Sequence, residues 1–261
     1  MKDINFLKQN GVDINKSLEL FGDVETYNET IREFKNAIDG KLEKIEDYYQ
    51  DADMPNYAIY VHSLKSDCKY FGFMKLASLA YDHEMKSKAG DLEYVKEHYQ
   101  ELMSEASKVR GIVFEYLDSS DEVKAIYSDE KQEDEGNIIL VADDSEVIRV
   151  FVKKVFDGEY DIEVARDGKE TLDIIREHES DGKIKAILLD LNMPDVDGFA
   201  VLDYLKEKDL FKKMPVTIVS GDSSSEAIHR AFTYDIIDML GKPFSEERIK
   251  EVVVRTIRSN D

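Results

Sequence analysis

The sequence predicts two domains of different class: an all-α four-helix bundle, then an α/β domain built on a parallel five-stranded sheet. Three observations predict it. Up to residue 117 the apolar residues recur at spacings of three and four, the period of a helix with one buried face. From residue 137 onward, short apolar runs alternate with helical patterns, the order of a βα repeat. Between the two lies SSDEVKAIYSDEKQEDEG, which is acidic and short of large apolar residues. The expected division is therefore 1–118, an acidic linker at 119–136, and 137–261. A helix running on out of the first domain is the competing reading of the linker.

In the first domain, Val24 to Tyr49 carries Tyr27, Ile31, Phe34, Ala37, Leu42, Ile45 and Tyr49 on one stripe, with a bend expected at Gly40. Asp51, Asp53 and Pro55 mark the next helix start, because an Asp side chain caps orphan amides and Pro fits a first turn. That helix runs to about Phe71 and stops at Gly72. Two more are expected, from Met74 to Lys88, stopping at Gly90, and from Leu92 to Leu117. Four amphipathic helices on short loops imply an antiparallel bundle.

In the second domain the strands are expected at Asn137–Ala142, Asp161–Ala165, Ile184–Leu189, Pro215–Val219 and Ile236–Leu240. Helical patterns lie between them, at Val147–Phe156, Glu170–His178 and Phe199–Lys206. NIILV and AILLD are the most apolar runs and should be central, since inner parallel strands are buried on both faces.

Charge narrows the function. The chain has 35 basic and 57 acidic residues, net −22, divided as −8, −5 and −9 over the three segments. No stretch suits the neutralisation of many phosphates, so no nucleic-acid partner is expected. The single cysteine, Cys68, excludes an internal disulfide and a Cys-rich zinc site. No run of 18 apolar residues exists, and the opening MKDINFLKQN lacks an apolar h-region. Neither a membrane span nor a signal peptide is expected, and the chain reads as cytoplasmic.

In parallel sheets, ligands bind outside the carboxyl ends of the strands. Asp143 and Asp144 follow the first strand, Asp190 the third, Ser220 ends the fourth, and Lys242 follows the fifth. Three ionised carboxylates together would repel. A Mg²⁺ and the Lys242 ammonium would bring the charge to neutrality, and Mg²⁺ takes oxygen ligands and pairs with phosphoryl groups. Such a site could carry a phosphoryl group on a carboxylate. Asp190 is the best nucleophile, because the MPDVDG loop after it would leave it open.

DD at the first strand end, DLNMPDVDG at the third, VSGD at the fourth and GKPF at the fifth resemble a response-regulator receiver domain over residues 137 to about 257. The resemblance implies a flavodoxin-like (βα)5 fold and phosphorylation at Asp190. It further implies Mg²⁺ held by Asp144, Asp190 and the Asn192 carbonyl, with Asp143 supporting through water. Ser220 and Lys242 would take phosphoryl oxygens. Met239 departs from the pattern, standing where the family has an aromatic switch residue. Asn192 and Asp222 stand where the family tunes hydrolysis by water, and their polarity implies a short-lived acyl phosphate.

In the first domain, His62 lies off the buried stripe of Tyr57, Tyr60, Val61, Leu64, Cys68 and Phe71. It shares a face with Lys65, Ser66 and Lys69 and is expected to face solvent. A neutral imidazole can attack a phosphoryl group, and Lys65 would supply a cation for the product. VHSLKSDCKYFGFMKLASLAYDHE resembles the phosphoacceptor helix of histidine phosphotransfer (HPt) domains, with His62, Lys65 at plus three and Gly72 at plus ten. The segment GVDINKSLELFGDVETYNETIREF resembles that family's opening, and the likeness covers residues 11–115. Ser66 departs at plus four, where Gly is common.

Together these resemblances imply a two-component phosphorelay protein whose partners are a sensor histidine kinase or other receiver or HPt proteins. Nothing resembles an ATP-binding region, so no ATP-dependent kinase activity is expected, only Mg²⁺-dependent self-phosphorylation and autodephosphorylation at Asp190. The alternative is a receiver switch or phosphate sink whose helical domain only docks or dimerises. The remaining histidines, His83, His98, His178 and His229, read as surface residues. Cys68 reads as core, and the tyrosines of 48–60 as packing.

Overall fold

The computed structural model describes residues 1–117, 137–221 and 224–259. The expected linker and Asp222 fall outside them. The N-terminal half is helical: α1 (Asn5–Gln9), α2 (Ile14–Phe21), α3 (Val24–Gln50), α4 (Met54–Tyr70), α5 (Met74–Lys88) and α6 (Leu92–Leu117). The four long helices close a ring, α3 on α4 and α6, and α5 on the same two. Tyr27, Ile31, Phe34, Ile38 and Ile45 bury the inner side of α3. The helix runs unbroken through Gly40, contrary to the bend expected there. Gly40 is exposed and helical. A glycine costs such a position only about 1 kcal/mol, less than the buried residues on either side return.

Local chemistry sets the ends of α4. The Asp53 carboxylate accepts from the Asn56 N–H at 3.2 Å, with Pro55 in the first turn. At the other end Gly72 has φ +77°, and a Cβ there would lie 2.6 Å from the Asp13 carbonyl oxygen. Only glycine fits, and its carbonyl accepts from the Asp13 N–H at 3.0 Å. This contact ties α2 to the end of α4 and seats Phe21 in the core.

The second half alternates: β1 (Ile138–Ala142), α7 (Glu146–Val155), β2 (Asp161–Ala165), α8 (Gly168–Glu177), β3 (Ile184–Leu189), α9 (Gly198–Glu207), β4 (Val216–Ser220), α10 (Ser225–Ala231), β5 (Asp238–Gly241) and α11 (Glu246–Arg258). All pairings are parallel and the order is β2-β1-β3-β4-β5. The two runs expected at the centre are β1 and β3, and β4 joins them as an inner strand. Ser145, Asp167, Asp197, Ser224 and Ser245 each cap the helix that follows with a side-chain oxygen.

The sheet has two different faces. One packs on α8, α9 and Ala231 of α10 as a core of its own. The other, beneath α7 and α11, is continuous with the core of the helical half. Phe151 of α7 meets Phe21 edge-on at 5.1 Å, and Phe244 meets Tyr70 edge-on at 5.7 Å. Helix α3 lies along α7. Among the described residues, no helix is long and apolar enough to cross a membrane.

Candidate functional site

Strand register builds the carboxylate cluster. Ala142 pairs with Leu189, so the first residues beyond β1 and β3, Asp143 and Asp190, emerge side by side. Ser220 pairs with Gly241, which delivers Lys242 to the same rim, and the Lys242 N–H donates to the Ser220 carbonyl at 2.9 Å. Oxygens of Asp143, Asp144 and Asp190 all lie within 4.8 Å of one another. The Lys242 Nζ stands 2.7 Å from Asp143 Oδ2 and 2.5 Å from Asp190 Oδ2. Backbone amides hold the acids in place. The Asn192 N–H donates to Asp190 Oδ1 at 3.1 Å, and the Ser145 N–H to Asp143 Oδ1 at 3.0 Å.

Asp190 is fully buried, not open as its loop suggested. Lys242 lies on its carboxylate, and α4 reaches the neighbouring Asp144 through the Ser63 hydroxyl. Burial, reinforced by Asp190 and Asp144, pushes Asp143 up to about 7 in spite of Lys242. Burial also raises Asp144, with Asp190 adding to it, against Lys41, Lys242 and the Ser63 hydroxyl. Burial alone would discharge Lys242, but Asp143, Asp190 and Asp144 outweigh it and keep the ammonium charged.

Among the described residues, Lys242 is the one ammonium in contact with the carboxylates of Asp143 and Asp190, with Asp144 beside them. The donors are all hard carboxylate oxygens, so the site fits Mg²⁺. The Nδ2 of Asn192 is buried without a hydrogen-bond partner among the described residues. Met239 packs half-buried against the core that α8, α9 and Ala231 share with the sheet.

His62 is 1 % exposed, not solvent-facing, and Lys65, Ser66 and Asp67 beside it are equally buried. The face that α4 turns away from its own core is covered by α5 on one flank and by the sheet domain on the other. The Glu84 carboxylate of α5 lies 2.7 Å from His62 Nδ1, and Lys65 donates to its other oxygen at 2.6 Å. A carboxylate only accepts, so Nδ1 carries a proton, and in the neutral imidazole Nε2 is the nitrogen with the lone pair. Lys65 Nζ stands 3.2 Å from the same Nδ1. With that atom acting as donor to Glu84, Lys65 is engaged through Glu84 instead. Burial alone would raise the Glu84 carboxyl, but His62 and Lys65 hold it well below the usual carboxylate range.

Nε2 of His62 is buried without a hydrogen-bond partner among the described residues. A Cβ placed on Gly221, next to Ser220, would lie 3.1 Å from it. The sequence reading missed Glu84, which nothing in the α5 pattern marks as facing His62. It also missed the network across the two halves. Asp67 accepts from Ser145 Oγ at 2.5 Å and pairs with Lys41, which donates to Ser63 Oγ at 2.8 Å. Nearby, the Phe244 N–H donates to the Tyr70 hydroxyl at 3.2 Å.

Two other histidines are also buried, contrary to the surface reading. His83 Nδ1 lies 2.7 Å from the Tyr57 hydroxyl, and burial pulls its pKa down. His178 lies 2.8 Å from Asp181 and 3.2 Å from Glu163. Cys68 is core, as expected, with its thiol pushed up by burial. Tyr48 packs on Tyr60 and Tyr49 stacks on Tyr99 at 3.6 Å, so these tyrosines are packing.

A model of the response regulator receiver domain matches residues 139–254. The chain is 35% identical over 143 residues to a probable methanogenesis regulatory protein, FilR2, of Methanothrix harundinacea, covering 52% of this chain and 86% of that one. The chain belongs to the response regulator receiver family. Its receiver domain, residues 139–254, contains the whole carboxylate cluster together with Ser220 and Lys242. The same region is 37% identical over 117 residues to a protein-glutamate methylesterase/protein-glutamine glutaminase of Methanospirillum hungatei. That match spans 44% of this chain and only 33% of the relative. Among solved structures, the receiver domain of the Francisella response regulator 1452 is 31% identical, covering 48% of this chain and 99% of that one at a TM-score of 0.43. The receiver places the chain in two-component signalling, a setting in which such domains interact with kinases or other signalling proteins.

Proposed function

We propose that this chain is a two-component phosphorelay protein in which Asp190 of the receiver accepts a phosphoryl group and His62 of an HPt domain carries one. The observation that carries the reading is the state of His62. Glu84 accepts from Nδ1, and Nε2 is buried without a hydrogen-bond partner among the described residues, beside Gly221 of the receiver rim. The ring of four long helices, with Lys65 three residues and Gly72 ten residues after His62, supports the HPt assignment.

At Asp190, a carboxylate oxygen forms a bond to the phosphorus of a phosphodonor while the donor's own bond breaks and its leaving group departs with the electron pair. Lys242 lies on both Asp190 and Asp143 and offsets the charge of the transferring oxygens. Asp143, Asp144, Asp190 and the carbonyl of Asn192 are the residues that would hold Mg²⁺. When bound, it would neutralise phosphoryl oxygens and the surplus of carboxylate charge. Ser220, at the end of β4, would take a phosphoryl oxygen. The Asn192 side chain, whose Nδ2 is buried without a partner among the described residues, would hold a hydrolytic water. The partners are a sensor histidine kinase or other receiver or HPt proteins.

Incubation with Mg²⁺ and acetyl phosphate tests the reading. Wild type is expected to give an alkali-labile acyl phosphate and an acid-labile phosphoramidate. Asp190→Asn should abolish both, and His62→Gln only the second. An acyl phosphate alone, unchanged by His62→Gln, would leave the helical domain to an outside partner or to docking.

A further inference from the structure

We propose that transfer between Asp190 and His62 takes place within one chain, the helical domain being the receiver's built-in partner and Gly221 the opening that admits the imidazole. This rests on reading His62 as a phosphoryl carrier. The first observation is the approach itself. A Cβ on Gly221 would lie 3.1 Å from His62 Nε2, 3.2 Å from Cε1 and 3.3 Å from Ser66 Oγ. These distances are tighter than ordinary van der Waals contact, so the imidazole uses the space that the missing side chain leaves. Gly221 directly follows Ser220, whose carbonyl is bound by the Lys242 N–H, on the rim that holds Asp190.

The second observation is that the contact is built from matched groups. The two halves carry net charges of −8 and −9 and would repel at a distance. What joins them is local. Asp67, fully desolvated, accepts from Ser145 of the receiver and is neutralised by Lys41. The Ser63 hydroxyl bonds Asp144, the Tyr70 hydroxyl accepts from the Phe244 amide, and Lys154 pairs with Glu29. A buried carboxylate is tolerated only where partners of this kind are in place. The Phe21–Phe151 and Tyr70–Phe244 ring contacts add apolar burial across the same boundary. An outside histidine protein would have to displace α4 to reach Asp190.

In the transfer step, the Nε2 lone pair forms the N–P bond as the P–O bond to the Asp190 carboxylate breaks. The electron pair of that bond returns to the carboxylate oxygen. The proton on Nδ1 stays hydrogen-bonded to Glu84, whose charge offsets that of the phosphorylated ring. The reverse step uses the same atoms.

The test uses the full chain with Mg²⁺ and acetyl phosphate, following acid-labile and alkali-labile phosphate together. Tethered groups meet at an effective concentration of about millimolar. The wild-type rate of phosphoramidate formation should therefore not change between about 1 and 100 μM protein. A mixture of His62→Gln and Asp190→Asn chains at 1 μM should form phosphoramidate about a thousandfold more slowly. Gly221→Ala should lower the ratio of phosphoramidate to acyl phosphate at least tenfold, and Ser145→Ala should lower it in the same direction. The acyl phosphate in each variant reports that its receiver is folded. Efficient complementation in the mixture, a rate rising with concentration, or an unchanged ratio in Gly221→Ala would overturn intramolecular transfer and leave the carrier reading standing. Acyl phosphate with no phosphoramidate in wild type at any concentration would overturn intramolecular transfer; no phosphoramidate on adding a separate phosphorylated receiver either would overturn the carrier reading as well.

Discussion

Glu84 is the residue whose removal should do most damage for its size. Its carboxylate is almost fully buried and accepts from His62 at 2.7 Å, Lys65 at 2.6 Å and Lys88 at 2.8 Å. Lys88 is 38 % exposed and loses little. Lys65 is 3 % exposed, so Glu84→Gln leaves its ammonium buried without a counter-charge. Breaking a buried pair in this way costs about 3–5 kcal/mol. The same charge makes the effect pH-dependent. Partners hold the folded carboxyl below its ordinary value of 4.5, so its stabilisation is present above that pH and lost as pH falls through the folded value. Between those limits each pH unit removes about 1.4 kcal/mol. Urea titrations of wild type and Glu84→Gln at pH 7, 4.5 and 3.5 measure this directly. The gap between the two proteins should be about 3–5 kcal/mol at pH 7 and narrow by about 1 kcal/mol between pH 4.5 and 3.5. A gap below 1 kcal/mol at pH 7, or one that widens in acid, would refute the assignment of Glu84 as the ionised partner of Lys65 and His62.

Three further outcomes are expected. Phe151→Ala removes a ring that meets Phe21, Tyr70 and Phe244, at a cost of about 3–5 kcal/mol; calorimetry should then resolve two unfolding transitions where wild type shows one. Gly72→Ala sets a side chain at φ +77° against the Asp13 carbonyl and should lower stability by more than about 1 kcal/mol in denaturant unfolding. Mg²⁺ at a hundredfold excess over its dissociation constant should stabilise wild type by about 2.7 kcal/mol and Asp190→Asn by much less, read as a shift in thermal midpoint.

Much of this molecule is legible along the chain. The limits of α5 and α6 match those read from periodicity, as do those of β2 and β3, because a buried face writes itself into spacing. Asp53 before Pro55 marks the start of α4 because capping is chemistry between near neighbours. The rim residues are legible for a related reason: a parallel sheet brings all its strand ends to one side, so Asp143, Asp190 and Lys242 meet wherever those strands form. Gly40 misled because a glycine in a sequence signals a break, whereas α3 is held straight by Ile38 and Ile45 packing on other helices.

The sequence by itself determined the helical first half, the parallel sheet and the charged residues at its strand ends, since each follows from contacts between residues close in the chain or from strand polarity. Only the tertiary structure decided the surroundings of His62. Its spacing puts it outside the core of its own helices, and that much was correct. Whether such a face meets water or protein depends on a surface about 160 residues further on, and on Glu84 arriving from the next helix. Helical periodicity records which residues share a side of α4. It holds no record of what lies opposite, because those contacts exist only once the two halves of the chain have come together.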